Sequence, residues 1–463
     1  MTDLDFTSFA EQARLVAAGE VTSAELVEHA LGRIDRLDDD LNAFAYVLRD
    51  AARAEAAERD ATPAAARGAL HGVPIAIKDE NDVAGLPTAY GGAAFSTPAN
   101  QDSEVVRRLR AAGAVIIGKT RMPEFGIWPW TETSANGYTR NPWNRLRSVA
   151  GSSGGSAAAV ASGMVAAAIG GDGGGSIRLP SSFCGLYGLK AQRGRVSAAP
   201  NAHLWRSLGV IGPLTRTVED SALINDAIAG ALPSDAWRAP DWPVSLAEAL
   251  AGEPGRLRIG FTTRLGAARA DDETTAALLA TVEALREVGH LVTQVRPDFP
   301  EVSVAFMAQT AAGVAEEAER AEHPQLLEQR TRTLLKLTAA LRGRAEWAER
   351  AGIAAGERFA ADFFSGFDLL LMPTTPTPAV PVGQLDGLGA VAASAKATKA
   401  SGFTSLWNVL GNPAAAIPSG FTADGLPLSV QLVGRPNDEP TVVQVSAQLE
   451  RVRPWAQARP ALG

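Results

Sequence analysis

The sequence predicts an α/β protein folded as one large domain, and three observations carry that prediction. Stretches with helical periodicity alternate with short apolar runs of strand length along most of the chain. The 463 residues are 46% apolar and 20% charged, the balance of an ordinary globular protein with a sizeable core. Length alone would allow two or three domains, but no repeat, charged tail or linker divides the chain.

The elements follow in order. Leu15, Leu26, Val27, Leu31, Ile34 and Leu37 recur at helical spacing, so residues 4–60 read as helices, with Thr22 or Ser23 able to cap the second. After an Ala/Pro-rich turn, VPIAIKD (73–79) reads as a buried strand. Residues 103–112 read as a helix leading into the strand AVIIGK (114–119). Residues 120–150 lack periodicity but hold Trp128, Trp130, Tyr138 and Trp143, and read as a long functional loop system. Residues 157–169 suit a closely packed helix of small side chains. RIGFT (258–262) and the VTQVRP region read as strands around a helix at 271–288, and 312–362 as helices. DLLLMPTTPTPAVP (368–381) is a strand running into a proline-rich turn, and SVQLVGRP (429–436) is another buried strand.

Composition excludes several function classes. A net charge of −8 does not provide the basic face that a nucleic-acid partner requires. Cys184 is the only cysteine, which rules out an intramolecular disulfide and zinc sites built from several thiolates, and fits a reducing cytoplasm. The first twenty residues have no apolar core of a secretory signal. The run 157–169 is shorter than the about 20 residues that span a bilayer. His29, His71, His203, His290 and His323 form no ligand pair, so no metal site is expected. These readings together point to a cytoplasmic protein with no membrane or nucleic-acid partner.

The chemistry concentrates in GSSGGSAAAVASGMVAAAIGGDGGGSIRLPSS (151–182), which holds one acid, Asp172, one base, Arg178, and no histidine. Gly151-Ser152-Ser153-Gly154-Gly155 spells G-x-S-x-G, but the stretch holds no histidine to assist such a serine, and it lacks the lysine of a phosphate loop. In GGDGGGS (170–176) consecutive backbone N–H groups can converge on one oxyanion, and a serine closes the run. A second serine cluster stands upstream at 152–153. The base for these serines can come from Lys78. Strand alternation puts Pro74, Ala76 and Lys78 on one face and Ile75, Ile77 and Asp79 on the other, so Asp79 need not pair with Lys78. A lysine held among apolar side chains is favoured in its neutral form, which is a competent base.

Taken together and in order, GVPIAIKD (72–79), AGAVIIGKTRMPEF (112–125), NPWN (141–144), GSSGGSAAAVASG (151–163), GGDGGGSIRLPSSFCGLYGLK (170–190), GPLTRTVED (212–220), GNPAAAIPSG and GLPLSVQLVG (411–434) resemble the amidase signature family. The resemblance implies a mixed, twisted sheet of about ten or more strands with helices on both faces. It divides the single domain into N-terminal helices (1–64), a signature core (65–225), a variable helical part (226–365) and C-terminal strands and helix (366–463). It also implies a triad in which Ser176 is the acylated nucleophile, Ser152 bridges through a cis peptide bond from Gly151, and Lys78 is the base. The N–H groups of Gly173, Gly174, Gly175 and Ser176 would form the oxyanion hole. Asp172 and Arg178 would pin the glycine loop. Ser153, Gly126, Ile127 and Trp128 would lie beside the substrate, with Ser153 bonding within the triad. Trp130, Trp205 and the 384–403 loop would extend an aromatic, uncharged lining.

The implied reaction is hydrolysis of the C–N bond of small to medium, mainly uncharged amides, or of carbamates, with no metal or organic cofactor. The partner is then a small-molecule substrate, and the chain a monomer or homodimer. TRNPWN and the QLERVRPWAQARPAL tail resemble the branch that opens nylon oligomers. A glutamine amidotransferase subunit usually carries Tyr and Arg in its C-terminal half, and here no tyrosine follows Tyr187. A non-catalytic scaffold is disfavoured by the intact triad positions. The family's loop usually reads G-T-D-T-G-G-S, and here both threonines are Gly171 and Gly173, which predicts a looser loop or a roomier acyl pocket. Ala191-Gln192 stands where Pro-Thr is common, a structural change.

Overall fold

The computed structural model describes residues 4–462, leaving the first three residues of the acidic chain start outside. Eleven strands form one mixed sheet: β1 (Phe44–Val47), β2 (Pro74–Lys78), β3 (Val115–Thr120), β4 (Ala167–Asp172), β5 (Tyr187–Lys190), β6 (Val210–Thr215), β7 (Arg258–Phe261), β8 (Leu291–Gln294), β9 (Leu369–Pro373), β10 (Ala414–Phe421) and β11 (Pro427–Gly434). Their spatial order is β1-β3-β2-β4-β6-β5-β10-β11-β9-β7-β8. The β3-β2-β4 and β9-β7-β8 neighbours run parallel, and every other pair is antiparallel. Sixteen α-helices accompany the sheet among the described residues.

The period of two along each strand sorts side chains into two cores. Ala76, Val115, Ile117, Ala168 and Leu214 pack with Val27, Leu31 and Ile34 of helix Ser23–Leu41 and with the small residues of helix Gly154–Ala161. Ile75, Ile77, Ile116, Ala167, Ile169 and Ile211 pack instead with helices Phe9–Ala18, Glu104–Ala111 and Val218–Ile228. The β7–β11 half repeats the arrangement, with Leu369 and Leu371 on one side and Leu370 and Met372 on the other. Helices therefore cover both faces. No helix among the described residues is long and apolar enough to cross a membrane.

Three expectations need correction. Residues 4–60 are not all helical, because β1 closes the edge of the sheet there. Helix Ser23–Leu41 starts on Thr22 with a capping box to Glu25, and ends at Asn42 in a left-handed conformation. Asp38 then takes the N–H groups of Ala43 and Phe44 and turns the chain into the strand. The small-residue helix expected over 157–169 stops at Ala161, and Gly163 (φ +71°) carries the turn that lets β4 begin at Ala167. The 384–403 segment contains helix Ala390–Ala400 where a loop was expected.

Candidate active site

Alternation places Lys78 on the face of β2 that carries Ala76 and meets the 151–161 segment. Its side chain is 1% exposed. Lys78 Nζ donates to Ser152 Oγ at 2.7 Å and approaches the Gly171 carbonyl oxygen at 3.4 Å. Its neighbours are nevertheless not hydrocarbon, as the apolar strand suggested. Glu80, two residues on, returns its Oε2 to within 3.0 Å of Lys78 Nζ. Asp79 goes the other way and pairs with Lys119 at 2.8 Å, as alternation predicts.

The Gly151–Ser152 peptide bond is cis. Ser152, Lys78 and Ser176 line one small cavity with Glu80, Tyr90, Phe125, Trp205 and Glu317. Its volume is about 30 Å³. Ser176 also opens onto a second, larger cavity of about 310 Å³, walled by Gly126, Ile127, Trp128, Phe306, Val314 and Ala397 among others. Gly126, Trp205 and Ser176 belong to both cavities, so the two meet at Ser176.

The glycine loop between β4 and helix Arg178–Cys184 is held by a buried ion pair. Arg178 meets Asp172 through two N–H···O contacts of 2.9 Å, and both side chains are fully buried. Arg178 also donates to Asn408 Oδ1, Gln431 Oε1 and the Thr404 carbonyl. Asn408 returns an N–H to Asp172 at 2.8 Å. Burial alone would raise the Asp172 carboxyl, but the Arg178 charge and these donors outweigh it and hold it below the usual carboxylate range.

Two sequence-based assignments change here. Gly175 donates its N–H to Asp172 Oδ1 at 2.7 Å, so it is not free to meet an oxyanion. The N–H groups of Gly173, Gly174 and Ser176 have no protein acceptor among the described residues. Ser153 lines neither cavity. As the residue before helix Gly154–Ala161 it turns inward, exchanging hydrogen bonds with Gly171 (3.1 and 3.2 Å), while its N–H meets the Ser176 carbonyl at 3.3 Å. It therefore ties the two serine-bearing loops together from behind the cavities.

The looser loop predicted from Gly171 and Gly173 is not found either. A Cβ at Gly171 would come within 1.9 Å of Glu80 Oε1, and one at Gly173 within 2.9 Å of the Trp205 ring. The space left by two absent side chains is filled by an acid and an indole. Trp205 and the 384–403 segment do line the large cavity, but Trp130 is buried behind it with Leu385 and Ala393. Cys184 is buried, and burial pushes its thiol up, as suits an inert core residue.

Sequence reasoning missed Glu80 and Glu317. Glu317 is 9% exposed, and its carboxyl is pushed up to about 8, first by burial and then by the Glu80 charge. Glu80 Oε1 and Glu317 Oε2 are buried without hydrogen-bond partners. The lining is thus aromatic and apolar on one side of Ser176 and acidic on the other. Among the described residues no group of acids, histidines and cysteine has a metal-binding arrangement.

Known proteins agree with this architecture. The family model described as Amidase matches residues 25–443. A putative amidase, AmiB2, of Mycobacterium tuberculosis is 43% identical, with 100% of this chain and 99% of that protein aligned. An acylamidase of Rhodococcus erythropolis is 33% identical over 99% and 98% of the two chains. The solved structure of a 6-aminohexanoate cyclic dimer hydrolase superposes with a TM-score of 0.93 at 32% identity, covering 100% of this chain and 99% of that one.

Proposed function

The chain belongs to the amidase signature family and is an amide-cleaving hydrolase; from that premise we propose that it hydrolyses amides of apolar carboxylic acids through an acyl-Ser176 intermediate. The observation that carries this reading is the 2.7 Å contact from Lys78 Nζ to Ser152 Oγ at the floor of a cavity that Ser176 also lines. In the free-amine form Lys78 takes the Ser152 proton, and Ser152 takes that of Ser176 as its Oγ attacks the carbonyl carbon. The unoccupied N–H groups of Gly173, Gly174 and Ser176 receive the developing oxyanion. The relay then protonates the departing nitrogen, and water, deprotonated by the same relay, cleaves the ester. Every step uses groups of this chain and water. The apolar 310 Å³ cavity suits an aliphatic or aryl acyl group. A carbamate presents the same carbonyl to the same groups.

Fluorophosphonate labelling tests the mechanism: the wild type takes the label at Ser176, and Ser176→Ala does not. A panel of apolar amides with matching carbamates tests the substrate class. An unlabelled wild type that turns over neither series overturns the reading.

A further inference from the structure

We propose that Trp205 sets the acyl specificity, its indole leaving no room for branching at the carbon next to the scissile carbonyl, so that straight-chain and flat aryl acyl groups are accepted and α,α-disubstituted ones refused; this rests on the acyl-serine reading above. Arg206 is the residue that positions it.

Trp205 stands where the two cavities meet, lining both together with Ser176 and Gly126. Its ring also packs on the glycine loop. A Cβ at Gly173 would come within 2.9 Å of the indole, and one at Gly174 within 2.9 Å of the Phe306 ring. Gly173 and Gly174 carry N–H groups without a protein acceptor among the described residues. A carbonyl oxygen seated on those N–H groups brings its own carbon, and the α-carbon one bond further on, against the two rings. Both rings wall the large cavity that takes the acyl group. A methylene or an aryl plane needs less width there than a quaternary carbon.

The backbone that presents the indole is strained. Trp205 (φ +48°) and Arg206 (φ +58°) are consecutive left-handed residues, and neither is glycine. Bulky side chains avoid this region, and such a turn persists only where its surroundings enforce it, typically where a ligand is clamped. Arg206 Nε donates to Glu349 Oε2 at 3.0 Å, and its Nη1 lies 3.8 Å from Glu316 Oε1. The turn is thereby tied to helices Ser303–Glu319 and Ala345–Gly366. Ser207 adds its N–H and hydroxyl to Gln309 Oε1 at 3.1 and 2.7 Å. Within the turn, the Leu208 N–H bonds the Trp205 carbonyl, and the Gly209 N–H that of Leu204.

The slot for the indole is cut on a second side by Gly313. A Cβ there would meet Trp205 Cα at 2.7 Å and the indole at 2.8 Å. The ring is thus held between glycines of two distant segments, and it packs on the apolar clusters around Phe125 and Val314 and around Leu208 and Ala308. A side chain gripped in this way passes strain to its neighbours instead of swinging aside for a wider acyl group.

The test compares kcat/KM for the butanoyl, isobutanoyl and pivaloyl amides of one amine, each divided by its rate of alkaline hydrolysis, with Ser176 labelling by a fluorophosphonate as control. One methylene too many in a tight site costs on the order of 10–200-fold, so the wild type prefers butanoyl over pivaloyl by at least about tenfold, with isobutanoyl between. Trp205→Ala brings this ratio towards one, and Trp205→Phe falls between. Arg206→Ala narrows it as well, and Arg206→Lys, which can still meet Glu349, restores it. A wild type that labels but shows a ratio near one overturns the proposal and leaves the serine mechanism standing. An unchanged ratio in a Trp205→Ala or Trp205→Phe enzyme that still labels overturns it too. An unchanged ratio in Arg206→Ala removes the positioning role. Absence of both labelling and turnover in the wild type removes the acyl-serine reading and the specificity together.

Discussion

Two buried acid–base pairs flank Ser176, and they are finished to different degrees. Asp172–Arg178 is sealed, with the carboxylate and guanidinium oxygens and nitrogens taken up by Asn408, Gln431, Thr404 and the backbone of the loop. Lys78–Glu80 is left open, with Glu80 Oε1 unmet and Glu317 Oε2 unmet close by. A sealed network rigidifies what it touches, because any movement exposes a buried charge. An open one keeps hydrogen-bonding capacity for something that arrives later. The comparison separates the scaffold of this site from its chemistry.

Breaking the sealed pair should cost most. Arg178→Ala strands a buried carboxylate and is expected to lower unfolding stability by about 3–5 kcal/mol. Urea unfolding measures it, and a loss under about 1 kcal/mol would erase the distinction between the pairs. Lys78→Ala, in the open pair, should act on rate instead, lowering the rate of Ser176 acylation by about 10²–10⁴-fold while the unfolding midpoint moves little. An active Lys78→Ala enzyme would mean that another base is at work.

Gly171→Ala sharpens the comparison from the loop side. Its Cβ would press on Glu80 Oε1 at 1.9 Å, so the carboxylate must leave Lys78. An activity loss of about tenfold is expected, and the loss should be partly rescued in the Gly171→Ala/Glu80→Ala pair, with a coupling of roughly 0.5–3 kcal/mol. Additive losses would show that the acid and the glycine are unrelated.

The smallest effect is one of pH. Asp172, with its arginine, sits below the usual carboxylate range, so its contribution to stability is lost only in strong acid. Asp220 and Glu450 behave oppositely: burial raises them to about 6 and about 7. A carboxyl raised in the folded state binds its proton more tightly there, so its stabilising contribution is full below the unfolded value of about 4 and is lost as pH rises through the folded value. Melting temperature should therefore decline between about pH 5 and 8, and Glu450→Gln should flatten the upper part of that decline. An unchanged slope would argue that Glu450 ionises normally.

Much of the site was legible because its signals are local. Lys78, Ser152 and Ser176 stand in motifs whose residue types and order carry their chemistry, and the alternation of β2 correctly separated Lys78 from Asp79. Glu80 follows Lys78 by only two positions, but it lies in the turn past the end of β2, its N–H bonded to the Lys78 carbonyl at 2.8 Å, so strand alternation does not place it. Trp205 was expected in the lining and is there, but Glu317 carried no such signal. It comes from a distant part of the chain, and nothing in its neighbours marks it as lining the cavity. The helix expected over 157–169 failed for a related reason. Small apolar residues suit either element, and pairing of β4 with β2 and β6 decided in favour of strand.

By itself the sequence determined the α/β alternation, the capped helix starts and which lysine and serines stand together at the cavity, since each depends on residue type and spacing within a few positions. Only the tertiary structure decided which N–H groups stay free, which charges are sealed and how unequal the two cavities are. Those properties belong to contacts between segments far apart in the chain, where the shape left between packed side chains, and not the order of residues, sets what can bind.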